Sequence, residues 1–230
     1  MHADETTLTL SKQAHPGRKK SYVFVYASSF YDDKQIHIYE FSETRAMDPE
    51  SNYLKDFNGY IECDDYPGYD KLRKSKPGIK LQRCWAHARR KYMDIIKAMP
   101  KEARNKSIAF KVAAKMNALF KIEEKAHKDK AFGQGLIDLR HREELPIINQ
   151  IRDLVFNCAP KQGSALEGAV NYTKKIWGDL LPYLDEPYLE LSNNLAERCV
   201  KPFVVNRKAF QTSGSEAGAI YTVKLFSIIR

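Results

Sequence analysis

Three carboxylates stand where metal-dependent phosphate chemistry could use them. Asp4 begins a run that leads into alternating apolar residues. Asp64 ends another such run, in Glu62-Cys63-Asp64-Asp65-Tyr66, and Glu197 lies in Asn193-Asn194-Leu195-Ala196-Glu197-Arg198, which reads as the first turn of a helix. Carboxylates at the ends of neighbouring strands can converge at one edge of a sheet. Their hard oxygen atoms suit Mg²⁺, which keeps much of its water and accepts phosphate oxygens. Two such ions could activate a water or a 3′-hydroxyl and stabilise the leaving oxygen of an in-line phosphoryl transfer. Each acid also has an ordinary reading. Asp64 and Asp65 are favoured turn residues, and Asp4 could be a frayed surface residue. With Asn194 as N-cap, Glu197 would occupy the glutamate position of a capping box.

The elements that would position these residues fall into two regimes. The first 70 residues read as strands: Thr6 to Leu10, Ser21 to Ala27, Gln35 to Phe41 and Tyr60 to Asp64, with a fifth from Ile79 to Cys84. His15-Pro16-Gly17 and Tyr31-Asp32-Asp33-Lys34 are expected as turns, Pro49 to Phe57 as a short helix, and Pro67-Gly68 as a break after the fourth strand. From Trp85 the apolar spacing becomes helical: Trp85, Ala88, Tyr92, Ile95 and Met99, then Phe110, Ala113, Met116 and Phe120. Further stripes begin at Ile147 and Leu166, a β-like turn is expected near Tyr188 to Leu191, and helices close the chain. Strands followed by a long helical stretch predict an α+β or mixed α/β domain with an inserted helical part. The expected divisions are 1–98 and 185–230 for the core and 99–184 for the insertion.

The chain has 230 residues, 38 Lys+Arg against 29 Asp+Glu, and a formal net charge of +9. Residues 1–70 carry −6 and residues 71–97 carry +9, so the excess arises in one short segment. Such a stretch suits a polyanion, because neutralised phosphates release counterions, although a merely solvated basic face has the same composition. With 43% hydrophobic and 29% charged residues the chain is expected to be globular. It has no apolar run of membrane-spanning length, and Met1-His2-Ala3-Asp4 has no signal-peptide pattern. A soluble cytoplasmic protein, nucleoid-associated when bound to DNA, is expected. Cys63, Cys84, Cys158 and Cys199 are widely spaced. Cys84 and His87 lack a second pair at zinc-site spacing, so four reduced thiols are expected.

The chain resembles the catalytic region of transposases of the insertion-sequence 66 family. The matching blocks are His2-Ala3-Asp4-Glu5-Thr6, Phe41-Ser42-Glu43-Thr44-Arg45, Gly59 to Tyr66 with Gly68-Tyr69, and Cys84 to Lys91. Ile122-Glu123, Asn193 to Arg198 with Pro202, and Arg207-Lys208 follow in the family's order. The resemblance implies an RNase H-like fold, a mixed five-stranded sheet with flanking helices, interrupted by a large all-helical insertion. It also implies DDE-type DNA transposition with Mg²⁺ or Mn²⁺ in a two-metal site. Asp4, Asp64 and Glu197 then match the catalytic, metal-holding acids, and Arg89, Arg90, Lys91, Arg198, Arg207 and Lys208 are the expected DNA contacts. Hydrolysis would free a 3′-hydroxyl at the element's end, and that hydroxyl would attack the target strand. The implied partners are element-end and target DNA, further copies of the chain assembled on it, and accessory proteins of the same element.

The chain departs from the family pattern at Asp65, where glycine is usual, at Ser192, where aspartate is usual, and at Asn206, where glycine is usual; an aromatic is also displaced to Ala209-Phe210. The chain begins three residues before Asp4, whereas full-length members carry an N-terminal part that recognises element ends, and its C-terminal core reads as truncated, so a catalytic-domain fragment or the product of a shortened gene is expected. Two other functions fit the same residues: a non-catalytic DNA-binding remnant, and an RNase H-like nuclease that cuts without joining.

Overall fold

The computed structural model describes residues 1–11, 20–51, 53–210 and 212–229, so the turn expected at His15-Pro16-Gly17 lies outside the described residues. The chain divides into two compact units, Met1–Leu81 with Asn193–Arg230, and Gln82–Ser192.

The first unit is built on a mixed sheet, whose fifth strand ends two residues beyond Leu81. Its strands are β1 (His2–Leu10), β2 (Ser21–Ala27), β3 (His37–Ser42), β4 (Gly59–Cys63) and β5 (Ile79–Arg83), in spatial order β3-β2-β1-β4-β5. β1 runs antiparallel to β2, β2 antiparallel to β3, and β1 parallel to β4. A sixth strand that the sequence did not suggest, β6 (Thr212–Ser213), pairs in parallel with the far end of β1. Helices α1 (Pro67–Ser75), α8 (Asn194–Phe210) and α9 (Glu216–Ile229) complete the unit.

Strand alternation divides the core in two. Phe24 and Tyr26 join Ala3, Ile61, Cys63, Tyr69 and Leu72 on one face. Val23, Val25 and Ala27 join Leu8, Tyr39, Cys199 and Phe203 on the other. α1 covers the first face and α8 with α9 the second. The Tyr39 hydroxyl donates to the Cys199 carbonyl at 2.7 Å, fixing α8 against the sheet.

Several expectations need correction. The stretch Pro49–Phe57, of which Asn52 lies outside the described residues, forms successive turns rather than a helix. The Lys76 ammonium takes the carbonyls of Pro49, Leu54 and Lys55, which hold the segment as turns. Pro67-Gly68 begin α1 rather than breaking the chain, because proline at the first helical turn removes an N–H that has no helical partner there. The turn expected near Tyr188 is present at Pro187-Tyr188, and Leu189 and Glu190 follow it without regular structure.

The second unit is helical: α2 (Trp85–Ala98), the short α3 (Lys101–Arg104), α4 (Ile108–Lys128), α5 (Gln134–Leu139), α6 (Leu145–Phe156) and α7 (Ala165–Ile176). Met116 and Ala113 line the buried face of α4 as expected, but Phe110 points outward and Val112 and Leu119 take its place. A π-helical turn, Arg140–Glu144, joins α5 to α6. Within it, buried Arg140 forms two bonds to Glu123, at 2.7 and 2.9 Å, and also donates to the Leu189 carbonyl at 2.9 Å. The Tyr183 hydroxyl donates to Glu144 at 2.6 Å. Among the described residues no helix is long and apolar enough to cross a membrane. Cys63, Cys84, Cys158 and Cys199 form no disulfide among the described residues.

Candidate active site

Asp4 is the third residue of β1, in the interior of the sheet rather than at a frayed end. Its cross-strand partner is Val25 and that of Glu5 is Phe24, so the two neighbouring acids diverge. Asp4 faces the side covered by α8, which carries Glu197. Glu5 faces the side covered by α1, where the Tyr69 hydroxyl donates to it at 3.2 Å and Arg45 bonds its other oxygen. Asp64 follows the last residue of β4, next to β1 in the sheet.

The charges of the other two expected acids, Asp64 and Glu197, act on Asp4. The Asp4 carboxyl is pushed from 3.8 up to about 7, chiefly by burial. A hydrogen bond from the Glu5 backbone N–H, at 2.9 Å, pulls it back, while the charges of Glu5, Asp64 and Glu197 push it further up. Burial likewise raises Glu5, against the lowering effect of its bond to Arg45.

The ordinary readings fare unequally. Asp64 does act as a turn residue, since its Oδ1 accepts the Tyr66 backbone N–H at 2.9 Å. α8 begins at Asn194, which makes Glu197 its fourth residue rather than the third required by a capping box. The asparagine ahead of the helix, Asn193, is turned to a different purpose. Its Nδ2 donates to the Ala3 carbonyl at 2.7 Å and its Oδ1 meets His2 Nδ1 at 3.1 Å. His2 Nε2 in turn lies 3.3 Å from Glu62 Oε1.

The basic residues sort by environment. In the helical unit, Arg89 is half-buried, donates to Asn117 Oδ1 at 3.1 Å and lies over the Phe120 ring at 4.1 Å. Lys91 is exposed and sits 4.2 Å over the Tyr172 ring, and Arg90 is exposed. In the sheet unit Arg198 and Lys208 are exposed on α8, whereas Arg207 reaches back to β1 and bonds Thr6 and Thr7. Sequence reasoning assigned no role to Arg45. Its guanidinium stacks on the Tyr66 ring at 3.9 Å and grips Glu5, beside Asp4. The available signal was that Arg45 and Glu5 each stand in a matched block, but only the tertiary contact shows what Arg45 does.

Comparison with known proteins places this geometry in context. The model of the family described as "Transposase IS66 family" matches residues 1–221, and the chain belongs to that family. Its relatives include two uncharacterized proteins of Sinorhizobium fredii (strain NBRC 101917 / NGR234). It is 27% identical to y4jD, with 99% of this chain and 45% of the relative covered. It is also 27% identical to y4qI, with 94% of this chain and 41% of the relative covered. The chain thus spans less than half the length of the curated relatives it matches. No solved structure matches it.

Proposed function

We propose that this chain is the catalytic region of a DDE-type DNA transposase, in which Asp4, Asp64 and Glu197 hold divalent metal ions for strand cleavage and strand transfer. The observation that carries this reading is the placement of Asp4 on β1, beside the parallel strand β4 that leads to Asp64 and on the sheet face covered by α8, which carries Glu197; burial and the charges of Glu5, Asp64 and Glu197 all raise its carboxyl. Carboxylates gathered where they repel one another form a site that a cation relieves. The donor set is all hard oxygen, which fits Mg²⁺ or Mn²⁺. The sheet order, with β1 central and parallel to β4 after an antiparallel β1-β2-β3 meander, supports an RNase H-like core. The helical unit between β5 and α8 then corresponds to the insertion.

Bound ions would supply a water of lowered pKa and neutralise charge on the leaving oxygen. The protein's own contribution is to hold the acids. β1 and β4, as parallel neighbours, bring Asp4 and Asp64 to one region, and the packing of α8 on the sheet adds Glu197. Arg198 and Lys208, exposed on α8, offer contacts to DNA phosphates, as does Arg90 of the helical unit. Element-end and target DNA are the partners in this reading, with further copies of the protein bridging the two ends.

The test is strand cleavage and joining by the full-length protein on DNA carrying the element's ends, with Mg²⁺ or Mn²⁺. Glu197→Gln and Asp64→Asn are expected to lower both steps by about two orders of magnitude or more, as when a group acting on the transition state is lost. Full activity in Glu197→Gln would remove that residue from the site. Cleavage without joined products would instead identify a nuclease, and DNA binding with neither step a non-catalytic remnant.

A further inference from the structure

The three segments that carry the proposed acids are connected by a second set of side chains, which is fully buried. His2 stands two residues before Asp4 on β1, Glu62 two before Asp64 on β4, and Asn193 four before Glu197. Their relative exposures are 0%, 1% and 2%. The parallel register of β1 and β4 sets His2 opposite Glu62, which accounts for their 3.3 Å contact. Asn193 closes the chain from the other side with its bonds to His2 Nδ1 and to the Ala3 carbonyl.

The directions of these bonds are fixed. The Ala3 carbonyl can only accept, so Asn193 must present Nδ2 to it and Oδ1 to His2. His2 Nδ1 must then carry a proton and donate it. Asn193 therefore clasps β1 at two successive residues immediately ahead of Asp4. From its own carbonyl it also accepts the Glu197 backbone N–H, at 3.3 Å. One residue thus grips the strand of the first acid with its side chain and the turn of the third with its backbone.

We propose that Asn193 is a positioning residue: through the His2–Glu62 pair and the Ala3 carbonyl it locks the first turn of α8 to β1, and so sets Glu197 against Asp4. This rests on the metal-site reading above for its consequence, but the lock itself is a statement about geometry. The asparagine amide supplies both groups, one donor and one acceptor, without a charge. Leucine has nearly the same shape and neither group, so Asn193→Leu would leave the Ala3 carbonyl and the His2 N–H facing apolar atoms.

The test uses the 230-residue chain with two readouts, hydrogen exchange without metal and Mn²⁺ binding followed by electron paramagnetic resonance. Val23→Ala, a core change on the α8 face of the sheet, serves as a control for general loss of stability. Asn193→Leu is expected to speed exchange at residues 2–6 and 194–198 while 21–27 and the helical unit keep their protection. It is also expected to weaken Mn²⁺ binding by about tenfold, the usual effect of losing a group that orients a ligand. Val23→Ala is expected to lower the melting temperature and leave Mn²⁺ affinity intact. The proposal is overturned if Asn193→Leu leaves exchange at both segments unchanged, if its loosening spreads over the whole chain, or if Mn²⁺ affinity survives local loosening. A wild-type chain that binds no Mn²⁺ overturns the metal reading instead, and the exchange pattern alone then decides the lock. Asn193→Gln provides a second variant should the leucine form not fold. It keeps both polar groups one carbon further out and is expected to loosen the same two segments to a smaller degree, while unchanged exchange there would count against the lock.

Discussion

Burial among Glu5, Asp64 and Glu197 gives Asp4 a carboxyl that holds its proton up to about pH 7, against 3.8 when unconstrained. The folded chain therefore binds more protons than the unfolded chain between those values, and this residue's contribution to stability falls as pH rises through that window. Above pH 7 the ionised side chain is a net cost without a cation. Asparagine has the same shape, can still accept the Glu5 N–H and carries no charge. Asp4→Asn is accordingly expected to raise the melting temperature of the metal-free chain at pH 8 by roughly 3–5 °C, about 1–2 kcal/mol, and to change little at pH 4. The same variant should lose Mn²⁺ binding. Calorimetry in a chelating buffer at the two pH values checks it. A lower melting temperature at pH 8 would mean that favourable partners, rather than repulsion, dominate around Asp4. A residue that destabilises the fold it belongs to is the expected signature of a functional group, because stability alone would select its removal.

Among the elements, the π-helical turn between α5 and α6 shows a second buried carboxylate under strain of a different origin. Burial, and then the charge of Glu123, push Glu144 up to about 8, while Tyr183 and Arg140 act against the shift. Its sign is that of Asp4: stability is present while the group is protonated and is lost as pH rises from about 4.5 through about 8. Glu144→Gln keeps an acceptor for the Tyr183 hydroxyl and removes the charge. It is expected to flatten the decline in stability between pH 6 and pH 9 by about 1–2 kcal/mol, read from urea unfolding at the two values. An unchanged slope would assign the decline to other groups.

This network was invisible in the sequence because Arg140, Glu123 and Tyr183 are brought together only by tertiary packing. The same reason hid the His2–Glu62–Asn193 chain. By contrast β2 was read to the residue, since Ser21 to Ala27 is dense in β-branched and aromatic types. β1 was read too short: it is central in the sheet and its first residues are His2, Ala3 and Asp4, so polar groups interrupt the alternation that marks a strand. α1 was missed because proline and glycine were weighed as breakers without regard to helical position. Gly68 is needed there, as a Cβ would approach the Tyr66 ring to 2.2 Å, and that ring is fixed by Arg45 stacked on it. Of the proposed site, Asp4, Asp64 and Glu197 were legible as residue types beside element ends, but the seat of Glu197 on its helix was misjudged by one position.

Over the whole molecule the +9 charge is shared unequally, with 20 Lys+Arg against 14 Asp+Glu in the unit Gln82–Ser192 and the smaller remainder in the sheet unit. Net charge alone does not say which cations meet DNA, because an arginine already committed inside the protein releases few counterions when a phosphate arrives. Of the six basic residues that the matched blocks suggest, Arg89 is spent on Asn117 and the Phe120 ring, and Arg207 on Thr6 and Thr7. Arg90, Arg198 and Lys208 are exposed. Binding to a short DNA duplex, measured across a series of salt concentrations, separates the two groups. Arg90→Ala, Arg198→Ala and Lys208→Ala are each expected to reduce the slope of log affinity against log salt by about 0.9, the loss of one phosphate contact. Arg89→Ala and Arg207→Ala should leave that slope nearly unchanged and lower the melting temperature instead, because their stems and guanidinium groups pack within their own units. If Arg89→Ala reduces the slope as much as Arg90→Ala does, its guanidinium leaves Phe120 to meet DNA, and the conformation described for α2 is not the one that binds.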